Sequence, residues 1–311
     1  MKAVQIDSYG GASVLGVVEN ATKPVASAGQ VLVRVHAVSI NPFDWKLRAG
    51  YAKDYLPLKF PIVMGGDFAG VVVSLGEKVT GFGVGDEVYG QAAVYAGGSG
   101  AFAEFATAVV GKIAKKPKNV DFVEAASLPL VGLSALQVLE THIKLKGGRK
   151  ILIHGGAGGI GSLAIQIAKA LGAYVATTVS SDDLEFARSL GADEVIDYKS
   201  QVFEEKLKDF DAVFDTVGGE ITNKSFKVLK KGGIIVSMAG APSAELAKEY
   251  GVVAIGQMTN GTTEGLKRLA ELVESGKVKA QVDKVFPLTE VKAAFRHLEQ
   301  GHPRGKVVMT I

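Results

Sequence analysis

Hydrophobic and polar positions follow three different patterns along the chain. In residues 1–121, short apolar stretches are broken by glycine and proline. The run from Val31 to Val38 is strand-like in its β-branched content, and so are Val71-Val72-Val73 and Asp86-Glu87-Val88-Tyr89. Gly81-Phe82-Gly83-Val84-Gly85-Asp86 reads as tight turns feeding a strand. This pattern predicts a mostly β domain with a partly open barrel.

From residue 124 to about 262, strands alternate with amphipathic helices, as in a parallel sheet of βαβ units. Strands are predicted at Lys150 to His154, Tyr174 to Val179, Glu194 to Ile196, Ala212 to Phe214 and Ile234 to Val236. A helix from Ile160 to Leu171 closes on Gly172, and the next runs to Leu190 and closes on Gly191. Asp182 and Asp183 are placed to cap and charge the start of that second helix. After residue 263 come a helix from Glu264 to Ser275, strands at Val282 to Phe286 and Lys306 to Thr310, and a helix from Val291 to Gln300. The tail is expected to rejoin the first domain. One domain is then 1–123 with 263–311, the other 124–262.

Composition narrows the function. The chain has 311 residues, 47% hydrophobic and 22% charged, enough for a sizeable core and roughly two domains. Thirty-five Lys and Arg against 32 Asp and Glu leave +3, too small a balance for a surface built to hold a polyanion, so no nucleic-acid partner is expected. The absence of cysteine removes disulfides, thiolate zinc sites and a catalytic thiol. No apolar run reaches about 18 residues, so no membrane span is expected. The first residues lack the apolar core of a signal peptide, and the expected location is the cytoplasm. The five histidines, at 36, 142, 154, 297 and 302, have no ligand spacing and read as packed or surface groups. Glycine is high, 39 residues against an average near 7%. It is not periodic, so its uses are local: turns, strand ends and places where backbone meets ligand.

The strongest local signal is the stretch from Ile151 to Gly161, which holds G-x-G-x-x-G as Gly156, Gly158 and Gly161. It follows a strand and opens a helix inside a βαβ unit, the context a dinucleotide loop requires. Gly156 is assigned the tight turn, Gly158 the approach of backbone to a pyrophosphate, and Gly161 the close packing of helix on strand. Gly156, Ala157, Gly158, Gly159, Ile160 and Gly161 are therefore candidate cofactor-binding residues. At the end of the next strand, Thr178-Val179-Ser180-Ser181 offers no carboxylate, which favours NADPH over NADH; Asp182 and Asp183 just beyond argue for NADH unless they serve as helix caps.

Asn41-Pro42-Phe43-Asp44, Gly65-Gly66-Asp67-Phe68-Ala69-Gly70, Val84-Gly85-Asp86-Glu87-Val88, the glycine loop and Asp215-Thr216-Val217-Gly218-Gly219 occur in this order. Together they resemble the zinc-independent quinone oxidoreductase and enone reductase branch of the medium-chain dehydrogenase/reductases, which includes the zeta-crystallin-like proteins. The resemblance covers essentially the whole chain. It implies an α/β fold: a GroES-like, partly open β-barrel catalytic domain with a Rossmann domain inserted, NADPH bound in the cleft between them, no metal, and a homodimer. Where zinc alcohol dehydrogenases carry a cysteine and a G-H-E motif, this chain has Asn41 and Gly65-Gly66-Asp67.

The resemblance also implies roles. Asn41 stands where the family places an amide near the nicotinamide, Lys46 matches a lysine near the substrate carbonyl, and Tyr51 lies where a tyrosine lines the cleft. Each has a plainer reading: a turn residue before Pro42, a surface lysine, and a packing aromatic alongside Trp45. Ser134, in Gly132-Leu133-Ser134-Ala135, resembles a hydroxyl at the start of a long helix near the nicotinamide; it could equally be a helix cap. Tyr198 matches a tyrosine that relatives place beside the adenosine phosphate, and Ser180, at the end of the second strand of the βαβ unit, is a candidate for the adenosine ribose; the lysine that relatives often carry after that strand is replaced by Ser181-Asp182-Asp183. Arg304 reads as a cofactor contact from the tail or a surface arginine. Val217 and Ala239, in loops after predicted strands, are expected near the nicotinamide, and Asp215 reads as structural.

Without a metal to stabilise an alkoxide, conjugate reduction is the expected chemistry. Hydride goes to a quinone or to the β-carbon of an α,β-unsaturated carbonyl, and hydrogen-bond donors suffice for the enolate charge. An enoyl-thioester reductase of the same fold is the enzymatic alternative. A non-enzymatic, NADPH-regulated RNA-binding or structural protein is the other.

Overall fold

The apolar runs of the amino-terminal third become β1 (Ala3–Ile6), β2 (Gly16–Val18), β3 (Gln30–Ile40), helix α1 (Pro42–Arg48), β4 (Ile62–Val63), β5 (Asp67–Leu75), β6 (Glu87–Gln91), β7 (Phe105–Val109), β8 (Ile113–Lys115) and helix α2 (Phe122–Ala126). Strands and helices then alternate through α3 (Pro129–Leu136), β9 (Lys150–His154), α4 (Gly159–Ala170), β10 (Tyr174–Val179), α5 (Leu184–Ser189), β11 (Glu194–Asp197), α6 (Phe203–Lys206), β12 (Phe210–Asp215), α7 (Glu220–Ser225), β13 (Leu229–Ser237), α8 (Ala244–Tyr250) and β14 (Val253–Gly256). The tail adds α9 (Thr263–Glu274), β15 (Val282–Pro287), α10 (Val291–Gln300) and β16 (Lys306–Thr310). These elements come from a computed structural model that describes residues 1–311.

Two units result. The first is Met1–Leu130 with Gly261–Glu274 and Ala280–Ile311; the second is Val131–Asn260 with Ser275–Lys279. In the first, β15, β16, β3, β5, β6 and β8 lie in that order in one sheet, and β7 also pairs with β3. β3 is long enough to pair with β7 along its first half and with β16 along its second, while β5 runs along most of it. Its ladder with β5 shifts register between Leu32 and Val33 and between Val35 and Ala37. Such bulges bend and twist a strand, which lets the sheet curl around its apolar face. Inside pack Val33, Phe68, Val72, Phe102, Phe295 and Met309, all fully buried. The tail joins this unit through β16 on β3 and through Tyr89, whose hydroxyl donates to the Leu266 carbonyl of α9 at 2.5 Å.

The second unit is a six-stranded, wholly parallel sheet in the order β11-β10-β9-β12-β13-β14. The order reverses direction between β9 and β12, and ligands of open α/β sheets bind outside the carboxyl ends of the strands at such a switch point. Buried Leu152, Ala176, Val213, Phe226 and Ile235 form part of its core. The continuous apolar runs at β9 and β12 reflect burial on both faces of the sheet.

Candidate active site

β9 ends at His154 and the chain turns at Gly155, whose φ of +72° is the left-handed conformation that favours glycine. The turn therefore belongs to Gly155, and the assignment of it to Gly156 is corrected. Gly156 is glycine for space: a Cβ there would lie 2.1 Å from Thr177 Oγ1. Gly161, in the first turn of α4, packs so closely that a Cβ would lie 2.1 Å from the Gly155 carbonyl oxygen. Gly158 differs. Its φ of −74° suits any residue, and a Cβ would meet only the Gly155 oxygen at 3.4 Å.

Gly158 is the N-cap of α4 and brings no side chain to cap it. The first-turn N–H groups of Gly159, Ile160 and Gly161 thus lack intrahelical acceptors and a capping side chain. Together with the helix dipole of this 12-residue helix, they make a place suited to a phosphate. Ala157 completes the loop. These residues fit the pyrophosphate of a dinucleotide.

Around the same edge, Ser180 follows β10 and Tyr198 follows β11. The Tyr198 ring is about half exposed, and its N–H donates to the Val179 carbonyl at 3.1 Å. Asp183 stands at the N-cap of α5 but makes no side-chain capping bond, which corrects the expectation of a cap; it is buried and accepts the Ser180 hydroxyl at 2.7 Å, so its carboxylate is spent within the turn. The Ser181 hydroxyl donates to Asp197 Oδ2 at 2.7 Å. That bond, with those from the Lys199 N–H and the Ser200 hydroxyl, holds the Asp197 carboxyl below the usual carboxylate range. Sequence reasoning missed Asp197 because it lies on the neighbouring strand, 16 residues from Ser181.

At the switch point, Asp215 ends β12 and organises the loop behind it. Its Oδ1 accepts the N–H groups of Val217 and Gly218 at 2.9 and 3.0 Å, and its Oδ2 accepts Thr222 Oγ1 at 2.5 Å and Ser237 Oγ at 3.0 Å. This structural role leaves the Val217 side chain exposed. Ala239 is also exposed, and its N–H donates to Ser237 Oγ at 3.1 Å. His154 is buried, with ring nitrogens 2.9 Å from the hydroxyls of Thr178 and Ser225. Burial pushes it down to about 4, so the ring is neutral.

Ser134 is neither at a helix start nor a cap. It sits inside α3, fully buried, and its hydroxyl shares a 2.6 Å hydrogen bond with Thr259. From Gln137 to His142 the helix continues with π geometry, often a mark of a functional segment. Gln137 and His142 hold residues 257–260 against it through bonds to Gln257 and Asn260. No local motif signalled this segment.

In the first unit, α1 arranges the remaining candidates. The Asn41 N–H donates to Asp44 Oδ2 at 2.7 Å, and its side chain turns inward: Nδ2 donates to Asp67 Oδ2 at 2.9 Å. Lys306, at the start of β16, donates to Asn41 Oδ1 and to the Ile40 carbonyl, each at 2.5 Å. Gln91 and the Leu130 N–H also donate to Asp67. Burial raises the Asp67 pKa and pushes Asp44 up to about 7, while it brings Lys306 down to about 8. Neither Asp44 nor Lys306 was singled out from sequence as a site residue. Lys46 and Tyr51 are exposed beside Trp45: the ammonium lies 5.7 Å from its ring centroid, and Tyr51 meets it edge-on at 5.7 Å. Arg304 is exposed near the start of β16, with its N–H donating to Asp283 Oδ1 at 3.0 Å.

The described residues contain no group of three or more His, Cys, Asp or Glu that could hold a metal ion. At the Asn41 cluster an ammonium already faces the two carboxylates, so the residues present do not fit a zinc ion.

Residues 27–118 match a family described as alcohol dehydrogenase GroES-like domain, and residues 190–309 one described as zinc-binding dehydrogenase. The 2-methylene-furan-3-one reductase of Solanum lycopersicum is 41% identical, over 99% of this chain and 79% of its own. The chloroplastic NADPH-dependent alkenal/one oxidoreductase of Arabidopsis thaliana is 39% identical over the same shares, 99% and 79%. The solved quinone oxidoreductase of Coxiella burnetii superposes with a TM-score of 0.92 at 37% identity, covering 100% of this chain and 99% of that one. A curled barrel sheet, a doubly wound sheet with a glycine cradle at its switch point, and relatives matched along the full length all agree: this chain belongs to the quinone oxidoreductase and enone reductase branch of the medium-chain dehydrogenase/reductase superfamily.

Proposed function

We propose that this protein is a metal-free reductase that uses NADPH to reduce a quinone or the C=C bond of an α,β-unsaturated carbonyl. The observation that carries the reading is the loop from Gly155 to Gly161. Its backbone closes where three of its glycines, Gly155, Gly156 and Gly161, admit no Cβ, while Gly158 keeps a methyl-sized space before the unpaired N–H groups of α4. The names of the relatives supply the substrate classes and NADPH. When bound, NADPH supplies the hydride, from C4 of its nicotinamide.

The chain's own residues hold and polarise. Gly158, Gly159, Ile160 and Gly161 would bind the pyrophosphate; Ser180, Ser181 and Tyr198 would surround the adenosine ribose. Val217, Ala239 and Ser134 belong to the nicotinamide side of the reading, and Arg304 remains a proposed contact from the tail. On the first unit, Asn41, Lys46 and Tyr51 would donate hydrogen bonds to the substrate carbonyl as its oxygen gathers negative charge, with Tyr51 or water passing the proton. A homodimer is part of the proposal. β14 is an edge of its sheet, and Val253 on it is 53% exposed, a surface open to pairing with a second copy.

The test is oxidation of NADPH, and separately NADH, with a quinone, a short enone and an enoyl thioester in the presence of a chelator. Turnover of quinone or enone that ignores the chelator supports the proposal. Tight cofactor binding without turnover of either overturns it, and turnover of the thioester alone moves the reading to the enoyl-thioester class.

A further inference from the structure

Asn41 is 3% exposed and its side-chain amide lies between two opposite charges. The Lys306 ammonium donates to its Oδ1 at 2.5 Å, and Asp67 Oδ2 accepts from its Nδ2 at 2.9 Å. An ammonium cannot donate to an amide NH2, and a carboxylate cannot accept from an amide carbonyl. The two ends therefore select one of the two flip states of the amide. In that state Oδ1 is occupied, one Nδ2 hydrogen is spent on Asp67, and the second is left for an acceptor outside the cluster. A hydrogen bond received at Oδ1 from a cation also polarises the amide, and hydrogen bonds in a chain strengthen one another, so the remaining N–H becomes a better donor.

The cluster is built around this arrangement. The Asn41 N–H is held by Asp44, Lys306 is anchored a second time on the Ile40 carbonyl, and Asp67 is oriented by Gln91 and the Leu130 N–H. Ser39 Oγ approaches the same Asp67 oxygen at 3.4 Å. Lys306 and Asp67 come from β16 and β5, which flank β3 on either side, with Asn41 just after its end. A buried lysine with two buried carboxylates is costly to assemble, and a neutral packed core would serve stability as well or better.

We propose that Lys306 and Asp67 are positioning residues that lock the Asn41 amide in one orientation, so that its second N–H donates to the substrate carbonyl oxygen as charge develops there. The inference rests on the reading of the protein as a quinone or enone reductase. Because the donor strengthens with the negative charge it meets, its loss falls on kcat and not on the KM for NADPH.

The test uses the full chain. Lys306→Met alone strands two buried carboxylates, so it is combined with Asp67→Asn, which removes one charge of each sign. The pair is expected to lower kcat at least about tenfold, with the KM for NADPH within about twofold of wild type. Adding Asn41→Ala to the pair is expected to cost nothing more, although Asn41→Ala alone costs at least as much as the pair. A folded pair with wild-type kcat overturns the proposal, and so does an Asn41→Ala loss that adds in full to that of the pair. The second measurement needs only a folded wild-type protein. With 15N-labelled asparagine the chain has five side-chain amide pairs, and that of Asn41 is identified by its disappearance in Asn41→Ser. The lock predicts that one of the two protons is shifted downfield by Asp67 and slow to exchange with solvent; a pair with the shifts and fast solvent exchange of an exposed asparagine overturns it. A wild type that turns over neither quinone nor enone sinks the functional reading, while the amide spectrum still decides the lock.

Discussion

Gly158→Ala separates holding a ligand from holding the fold. On the fold side its effect is small. The backbone at φ −74° accepts alanine, and the new Cβ meets only the Gly155 carbonyl oxygen, at the ordinary distance of 3.4 Å. Alanine is a poorer N-cap than glycine by about 1 kcal/mol or less. The reduced freedom of the unfolded chain offsets about 0.4–1 kcal/mol of that, so stability is expected to change by under ~1 kcal/mol. On the ligand side the methyl occupies the approach to the N–H groups of Gly159, Ile160 and Gly161. Losing one charge-assisted hydrogen bond to a phosphate costs about 1.5–3 kcal/mol, or about 10- to 150-fold in Kd. Gly161→Ala is the contrast. Its Cβ would stand 2.1 Å from the Gly155 oxygen and 2.9 Å from Gly156 Cα, so backbone must move against backbone. Overpacking of this kind costs about 1–3 kcal/mol. Calorimetric titration with NADPH, paired with urea unfolding, reads both terms. Wild-type affinity in a normally folded Gly158→Ala would show that no pyrophosphate passes this loop. Unfolding of Gly158→Ala as easily as Gly161→Ala would show that the glycines serve only the turn.

Three further outcomes follow from the second unit. Burial holds the His154 pKa below its unfolded value of 6.5, at about 4, so the unfolded chain takes up a proton first and this residue's contribution to stability is lost as pH falls from about 6.5 to 4, on the order of 3 kcal/mol. Urea midpoints of wild type and His154→Gln should therefore draw together over that range, and a constant difference would refute the assignment. Asp215→Ala strands two backbone N–H groups and two hydroxyls, and is expected to lower the unfolding free energy by about 2–4 kcal/mol in urea titrations. Asp197→Asn removes an ionised group bonded to Ser181 beside the proposed ribose site; kcat/KM for NADPH should rise a few-fold while that for NADH does not, and an equal change in both would place the ribose elsewhere.

The parallel sheet was readable because its strands are buried on both faces and its helices on one, so composition changes at each boundary. β9 and β10 begin and end at the predicted residues for this reason. The glycine loop was readable in position but not in the division of labour. A motif gives spacing, whereas left-handed φ at Gly155 and the contact of Gly156 with Thr177 depend on how the next strand lies. The same limit explains Asp183 and Ser134. Each sits at or near a helix, where a cap is the local expectation, yet each polar group finds a better partner from the surrounding chain: Ser180 for Asp183, and Thr259, 125 residues away, for Ser134.

The Asn41 cluster lies furthest from what local pattern can tell. Asp44 reads as a helix first-turn acid, Asp67 as part of a glycine-rich strand entry, and Lys306 as the polar first residue of a strand. Each is ordinary alone. The sheet order β16-β3-β5 brings Lys306 and Asp67 to opposite ends of one amide, although 265 residues separate Lys306 from Asn41. Once there, the charges depend on each other. Without Lys306, the two acids would be protonated or would take up another cation; without the acids, the buried ammonium would lose its proton. Where zinc dehydrogenases place a cysteine, this chain sets an amide, and the positive charge facing the neighbouring carboxylates is covalently its own. Because the charges depend on each other, a single substitution within the site is expected to cost more than a charge-balanced pair.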